Sequence, residues 1–188
     1  NSGPHFMKSR GFIEQDQVFW SRFPLNQPIA DWALEKAERV RASGIRIMTG
    51  KAFESVRPDW DHVWWRLIME SMKDVPSVIP FTEIPFEKWR PFIDKPFMDR
   101  GQVLVALEGD ELTGLLSLGK PGAGKVNINT TNVARAYRRR GISTALKCAA
   151  VEHARSLRAE FLTTQNHEHN PMYRLNQAFG FEYMDTQI

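Results

Sequence analysis

Residues 132–146 read Asn-Val-Ala-Arg-Ala-Tyr-Arg-Arg-Arg-Gly-Ile-Ser-Thr-Ala-Leu. The segment that leads into them, Val126–Val133, alternates polar and apolar side chains with a period of two, which is typical of a β-strand. Beyond the arginines, Gly141–Leu157 is predicted to be helical. The sequence therefore places a strand, a short basic turn and a helix in direct succession.

The basic turn has the composition of an anion-binding site. The first turn of a helix carries backbone N–H groups without partners inside the helix, and the positive end of the helix dipole lies there. Gly141 lets a ligand approach the backbone closely, because it has no Cβ. The side chains that would add charge-assisted or hydroxyl donors are Arg138, Arg139, Arg140, Ser143 and Thr144. The combination predicts a pyrophosphate site.

Two other interpretations of these arginines are open. A solvated capping cluster is disfavoured, because positive charge beside a helix N-terminus is unfavourable unless an anion compensates it. A nucleic-acid patch is disfavoured, because the arginines form one tight turn without interleaved aromatic side chains. We therefore expect no nucleic-acid partner, and the formal net charge of +3 is too small to indicate one by itself.

A second segment, Gly119–Lys125, matches the G-x-x-x-x-G-K part of a phosphate-binding P-loop. In a P-loop, Ser or Thr follows the lysine and the chain continues into a helix. Here Val126 follows the lysine, and the predicted strand begins instead. We interpret the segment as a flexible hairpin loop and not as a nucleoside-triphosphate site.

The other predicted elements define the fold class. The predicted strands are Ile13–Leu25, Ile45–Met48, Val103–Leu107, Leu112–Leu118, Lys125–Val133, Phe161–Gln165 and Phe181–Thr186. The other predicted helices are Asp31–Ala42, Asp59–Lys73 and Pro171–Phe179. Asp74–Phe97 is a proline-rich loop with at most one short helix around Phe86–Phe92. This order predicts an α/β (α+β) fold, a mixed sheet with antiparallel N-terminal strands and a βαβα C-terminal half.

Composition excludes several classes of protein. The 188 residues suit one domain, and no run of about eighteen apolar residues is present, so we expect no membrane span. The single cysteine, Cys148, permits neither an internal disulfide nor a multi-cysteine zinc site. It points to a reducing compartment, for which we expect the cytoplasm. His167 and His169 have no third ligand nearby, so we expect no metal site.

Around the basic turn and the helix that follows it, the sequence resembles the GNAT superfamily of acyl-CoA-dependent N-acyltransferases. The family pattern is a strand ending in Val and then R/Q-x-x-G-x-G/A at the start of a helix, matched here by Val133 and Arg138–Ser143. The segment Met172–Phe181 resembles the second cofactor motif of the family, which ends in G-F. The likeness runs from about Ile45 to the C-terminus, and the chain looks like the C-terminal repeat of a tandem-GNAT protein.

The resemblance implies a division of the chain. Residues 45–188 would form the GNAT acyltransferase domain, and residues 1–44 a strand and helix extension, the remnant of a preceding GNAT unit. We expect Val18–Phe23 to fill a vacant sheet edge, either in this chain or, by strand exchange in a homodimer, in a neighbouring copy.

The resemblance also implies acetyl-CoA as co-substrate and a primary amine, of a small molecule or a peptide, as acceptor. The strand around Asn132 and Val133 would splay from its parallel neighbour and expose main-chain groups to the pantetheine amides and the acyl carbonyl. The pyrophosphate would lie on Arg138, Arg139, Arg140, Gly141, Ile142, Ser143 and Thr144. The pantetheine arm and the sulfur would face Asn166, Asn170 and Asn176.

Two positions depart from the family pattern. Ser143 stands where Gly or Ala is usual, and Asn176 stands where many members carry a Tyr that protonates the leaving thiolate. Asn cannot supply that proton, although its amide can hydrogen-bond the sulfur. Tyr173, one turn earlier, is either a substitute donor or an ordinary packed aromatic. The alternative function is therefore a non-catalytic acyl-CoA-binding module of a tandem-GNAT protein.

Other groups complete the expected site. We expect Cys148 in the core, which favours direct attack of the amine over a covalent acyl-enzyme. Glu70 and Asp74 are the candidates for the base that removes the amine proton. The candidate walls for the acceptor are Trp64, Trp65, Met69, Met72 and Phe81, although core packing is the expected role of Trp60 and Trp64.

Overall fold

The structure, a computed structural model, describes residues 3–12, 17–75, 81–95, 98–167 and 169–187. Its strands are β1 Val18–Pro24, β2 Ile45–Thr49, β3 Val103–Glu108, β4 Glu111–Leu118, β5 Lys125–Val133, β6 Phe161–His167 and β7 Glu182–Gln187. Its α-helices are α1 Gly3–Ser9, α2 Asp31–Ala42, α3 Gly50–Val56, α4 Trp60–Met72, α5 Phe86–Trp89, α6 Ile142–Ser156 and α7 Pro171–Phe179. Short 3₁₀ turns lie at Arg90–Phe92, Arg100–Gln102 and Arg135–Tyr137.

The strands form one mixed sheet in the order β2-β3-β4-β5-β6-β1-β7. Neighbouring strands run antiparallel, except that β5 and β6 are parallel. A parallel pair needs a crossover connection, which α6 supplies. The predicted fold class, with its antiparallel N-terminal strands and βαβα C-terminal half, is confirmed.

The N-terminal strand β1 lies inside this sheet, between β6 and β7. It pairs with β6 from Val18 to Pro24, and β7 forms the edge of the sheet. Phe23 is fully buried, with its ring centroid 5.6 Å from that of Phe179 and 5.5 Å from that of Phe181. The strand therefore completes the sheet of its own chain, from an internal position and not from the edge. Strand exchange with a second copy and the division after residue 44 stay predictions.

Two apolar layers cover the sheet. Helices α2 and α6 pack on one face, where the cluster includes Ala37, Val40, Leu146 and Val151. Helices α3, α4 and α5 pack on the other face. The predicted core role of Trp60 and Trp64 is confirmed, because these side chains are only 6% and 1% exposed.

Most predicted elements are confirmed, and the deviations have local causes. The predicted strand Ile13–Leu25 begins only at Val18, and residues 13–16 lie outside the described part of the chain. Helix α3 was not expected from the sequence. It begins after Thr49, whose Oγ1 accepts a hydrogen bond from the backbone N–H of Ala52 at 3.2 Å and so caps the helix. Within Asp74–Phe97, the short helix is present as α5 and the 3₁₀ turn after it, and residues 76–80 and 96–97 lie outside the description.

The interpretation of Gly119–Lys125 as a hairpin loop is confirmed. Gly122 and Lys125 form an isolated antiparallel bridge, and β5 follows at once, where a P-loop would need a helix. None of the helices in the described ranges combines the length and the apolar character that a membrane crossing requires.

Gly114 in β4 decides how closely α6 approaches the sheet. An added Cβ would lie 3.0 Å from Ile142 Cγ2 and 3.1 Å from the backbone oxygen of Asn132. We expect Gly114→Ala to lower the free energy of unfolding by about 1–3 kcal/mol through overpacking, although Ala is the better strand former. Urea denaturation measures the change. Gly122→Ala, whose Cβ would meet no atom within 4 Å, is the control and should be close to neutral.

Candidate functional site

A cleft opens where β5 and β6 separate. Residues 125–128 of β5 pair in parallel with residues 161–164 of β6, and the pairing ends there. Beyond this point β5 stays with β4, while β6 continues beside β1. The register between β4 and β5 shifts from Ser117–Thr130 to Leu118–Ile128, which leaves Asn129 as the extra residue of a β-bulge. A bulge bends its strand, so it accounts for the expected splay.

The cleft has a volume of about 540 Å³. The described residues that line it lie on or next to β1, α4, β5, α6, β6 and α7, and none of these described residues is Asp or Glu. The sequence-predicted site residues that line it are Asn132, Asn166, Asn170 and Asn176. Of the predicted acceptor walls, Met72 lines the cleft, whereas Trp64 and Met69 are buried in the core.

Asn176 and Asn166 form a polar pair in this cleft. Helix α7 ends at Gly180, whose φ of 108° suits the left-handed C-cap, and Asn176 faces inward one turn before it, 1% exposed. Its Nδ2 donates to Asn166 Oδ1 at 2.6 Å. Its Oδ1 is buried and has no hydrogen-bond partner among the described residues. A buried amide oxygen of this kind requires a donor from a ligand or water.

Two further asparagines serve the framework with their side chains. Asn132 Nδ2 donates to Ser71 Oγ at 2.7 Å, and its Oδ1 accepts from Thr130 at 2.7 Å, which ties β5 to α4. Asn170 is the N-cap of α7, because its Oδ1 accepts the N–H of Met172 at 2.9 Å. At Asn132 and Asn170, a ligand can therefore bind only the backbone or the side-chain groups that these hydrogen bonds do not use.

Tyr173 lies away from the cleft. Its ring packs on Phe19 of β1 with centroids 4.9 Å apart, and it is not among the residues that line the cavity. This is the packed-aromatic arrangement that the sequence analysis held open, and no proton-donor role follows from it.

The basic turn presents free amides at the start of α6. Within the described residues, the backbone N–H groups of Gly141, Ile142 and Ser143 meet no hydrogen-bond acceptor. Gly141 has a φ of 90°, and its missing Cβ would lie 3.0 Å from Lys36 Cγ and 3.2 Å from Val40 Cγ2. The left-handed backbone and the contact with α2 each require glycine here, and a role in ligand approach stays a prediction.

The arginines of the turn differ in their partners. Arg138 donates to the Val133 carbonyl at 3.1 Å and pairs with Asp74 at 2.6 Å. Arg140 pairs with Glu108 and lies over the Tyr137 ring. The chain itself therefore supplies two of the compensating anions, which the sequence analysis did not foresee.

Arg139 is exposed, and in the described part of the chain it has no carboxylate partner. Its φ of 66° is left-handed, a strained conformation for any residue with a Cβ. Of the three predicted arginines, it is the one whose charge the fold leaves for a ligand.

Asp74 is a structural anion. It accepts from Arg135 at 2.9 and 2.6 Å and from Arg138, and these hydrogen bonds hold its carboxyl pKa well below the usual range. A carboxylate held in this way is a weak base, which disfavours Asp74 as the group that removes the amine proton. Glu70, the other candidate, accepts the backbone N–H of Arg135 at 3.0 Å.

Lys147 lines the cleft, and the sequence analysis missed it. It lies on α6 with 1% of its surface exposed, and burial lowers the pKa of its amine to about 7. Its Nζ lies 5.3 Å from the centre of the Phe181 ring and, among the described residues, has no hydrogen-bond or ion-pair partner. The available signal is its place in the apolar run between Leu146 and Cys148.

The expected core position of Cys148 is confirmed. It is 3% exposed, and burial raises the pKa of its thiol to about 11. A thiol with this pKa is a poor nucleophile near neutral pH. In the described ranges, no group of three or more His, Cys, Asp or Glu side chains could hold a metal ion.

The sequence profile of the acetyltransferase (GNAT) family matches residues 63–181, from α4 to the end of α7. The chain belongs to the acetyltransferase (GNAT) family. The matched range contains the splayed strands, the amides at the start of α6 and the Asn166–Asn176 pair of this GNAT chain. Among curated proteins, no match to the sequence is found.

Solved structures support the fold. A GCN5-related N-acetyltransferase from Sphaerobacter thermophilus superposes with a TM-score of 0.67 at 21% identity, over 98% of this chain and 54% of that one. A tandem GNAT protein from the clavulanic acid biosynthesis pathway gives 0.65 at 20% identity, over 99% and 57%. A ribosomal-protein-alanine N-acetyltransferase from Brucella melitensis gives 0.55 at 20%, over 73% and 83%. The chain spans about half the length of the first two, and these identities carry the fold alone.

We expect Lys147→Met to stabilise the fold, because it replaces a buried unpaired amine by an apolar side chain of similar size. The gain should be about 1–3 kcal/mol near neutral pH. Between pH 7 and 10.5 the unfolded chain holds a proton on Lys147 that the folded chain lacks, so wild-type stability rises with pH there.

The gain from the substitution should therefore shrink as the pH approaches 10.5. Urea denaturation of both proteins across this range measures it, and any effect of Cys148 is common to both and cancels. A destabilised Lys147→Met protein, or a gain independent of pH, would contradict this assignment.

Proposed function

We propose that this chain is an N-acetyltransferase that moves an acetyl group from acetyl-CoA to the primary amine of a small molecule or peptide by direct attack. The observation that carries the proposal is that a strand lining the cleft leads through one short turn to the start of α6. Strand β5 forms one wall of the cleft, and the turn that follows it ends in the free amides of Gly141, Ile142 and Ser143. This arrangement suits a ligand that has a diphosphate and a long uncharged arm.

The amides at the start of α6 would bind the diphosphate. Unpaired N–H groups and the helix dipole favour an anion there, and the Ser143 hydroxyl and the Arg139 guanidinium add donors. Arg138 and Arg140 are held by Asp74 and Glu108, so they would act chiefly by positioning the turn.

The separated edge of β5 would bind the pantetheine arm. Residues 129–133 have no strand paired on their β6 side, so their outward backbone groups can hydrogen-bond the amides of the arm. A backbone N–H near Val133 would polarise the thioester carbonyl, and the cleft would bring the amine next to it. Asn176 and Asn166 face the same space from the opposite wall.

The alternative proposal is an acyl-CoA-binding module without turnover. It is supported by the poor fit of three candidates for proton transfer. Asn176 has no ionisable proton, Tyr173 packs on Phe19, and Asp74 is paired with arginines. The cytoplasm remains the proposed location, from the single buried cysteine.

Ser143→Glu tests the diphosphate site. A carboxylate in the first turn of α6 should stabilise the helix, yet it should occupy the amides and repel a diphosphate. We expect at least tenfold weaker binding of CoA by calorimetry, with an unchanged or higher melting temperature. Ser143→Ala is the matched control and should lose less than threefold. Retention of wild-type CoA affinity by Ser143→Glu would sink the proposal for the site.

Turnover separates the two functions. Release of CoA thiol from acetyl-CoA is followed with a panel of primary amines at near-neutral pH, and an acetyltransferase should accelerate release with at least one of them. Tight binding of acetyl-CoA without accelerated release across the panel would favour the binding module. The Ser143→Glu protein is the control, because it should be inactive in both assays.

A further inference from the structure

The cleft has an unusual charge. The side chains that line it are largely Asn, Thr, Gln and apolar residues, and its titratable members are Lys147 from α6 and His167 from β6. Among the described residues, no Asp or Glu side chain lines the cleft. A basic group with no acidic group beside it in the described lining complements a negatively charged ligand group.

The burial of the Lys147 amine in the cleft lowers the stability of the folded protein. Burial without a partner disfavours its charged form, which is why its pKa falls to about 7. Buried cations are usually paired, and here Nζ lies over the face of the Phe181 ring, 5.3 Å from its centre. Elements on every side of it, α2, β3, β4, β5 and β6, contact α6 without supplying a carboxylate to this amine in the described structure. An acceptor for Nζ must therefore come from a ligand or from water in the cleft.

Asn176 gives a second, independent sign of a polar ligand. Its Oδ1 lacks a donor, and it lines the same cavity as Lys147. The Lys147 amine and the Asn176 oxygen together favour a ligand that is polar deep in the cleft, because an apolar acyl chain would satisfy neither of them.

The diphosphate cannot be that group if the proposed function holds. Its amides, on Gly141, Ile142 and Ser143, are not among the lining residues, and the pantetheine arm carries no charge. The negative charge must then belong to the reacting part of a substrate, either the acyl group of the donor or the amine-bearing acceptor.

We propose that Lys147 binds a carboxylate carried by one of the two substrates, and thereby selects a dicarboxylic acyl thioester or an amino-acid acceptor over uncharged analogues. The proposal rests on the proposed acyl-CoA site. Lys147 is a specificity-determining residue in it, and the transfer chemistry stays on the backbone of β5.

The donor arm compares succinyl-CoA with acetyl-CoA and free CoA by calorimetry at pH 8. If the carboxylate belongs to the donor, wild-type protein should bind succinyl-CoA at least tenfold more tightly than acetyl-CoA. Lys147→Met should then lose this preference while keeping its affinity for free CoA. The control is Lys51→Met, an exposed lysine of α3 outside the cleft, which should keep the preference. A higher melting temperature of Lys147→Met verifies that the variant is folded.

Proton uptake gives a second readout. A carboxylate beside Lys147 favours the ammonium form of this side chain, so binding of the carboxylate-bearing ligand at pH 8 should take up a proton. Repeating the titration in buffers of different ionisation enthalpy measures this uptake. Acetyl-CoA should cause no such uptake, and neither should any ligand with Lys147→Met.

The acceptor arm compares glycine and alanine with methylamine and ethylamine, titrated into protein saturated with CoA. A Lys147-dependent preference in either arm supports the proposal and names the source of the carboxylate. Equal binding within both arms, or a preference that survives Lys147→Met, overturns it. A wild-type protein that fails to bind free CoA overturns the proposed function itself, which is a different result.

Discussion

The β-bulge at Asn129 is the constraint on which the site depends. A regular strand would have continued its parallel pairing with β6, and the sheet would have closed over the space between them. The extra residue turns β5 toward β4, and the N-terminal strand β1 takes up the other side of β6. The cleft, its unpaired strand edge and the polar residues that line it follow from this one irregularity.

Charge compensation divides the basic turn into a framework and a binding surface. Asp74 at the end of α4 and Glu108 on β3 neutralise Arg138 and Arg140, so the turn is held in place without a ligand. The backbone amides of α6 remain open, because no carboxylate of the described chain reaches them. The fold thus compensates two of the arginines while leaving the first amides of α6 without a partner among the described residues.

Lys147 and Asn176 are buried polar residues that line the cleft. Sequences that specify a fold usually satisfy buried polar groups, and departures concentrate where a protein binds or reacts. Both residues occur on helices that flank the cleft. Asn176 Oδ1 is buried without a partner among the described residues, and the Lys147 amine has no hydrogen-bond or ion-pair partner among them. Burying these polar groups lowers the stability of the fold, and it places both of them in the cleft where we propose that a substrate binds.

The sequence by itself determined the local features. A few neighbouring residues encode the alternating pattern of Val126–Val133 and the helical spacing of apolar residues in α4. The same holds for the caps of α7 and for the helix start at Gly141. It did not reveal the place of β1, the carboxylate partners of the arginines or the burial of Lys147. Each of these depends on contacts between residues far apart in the chain, whose geometry is set only when the sheet and its two helical layers assemble.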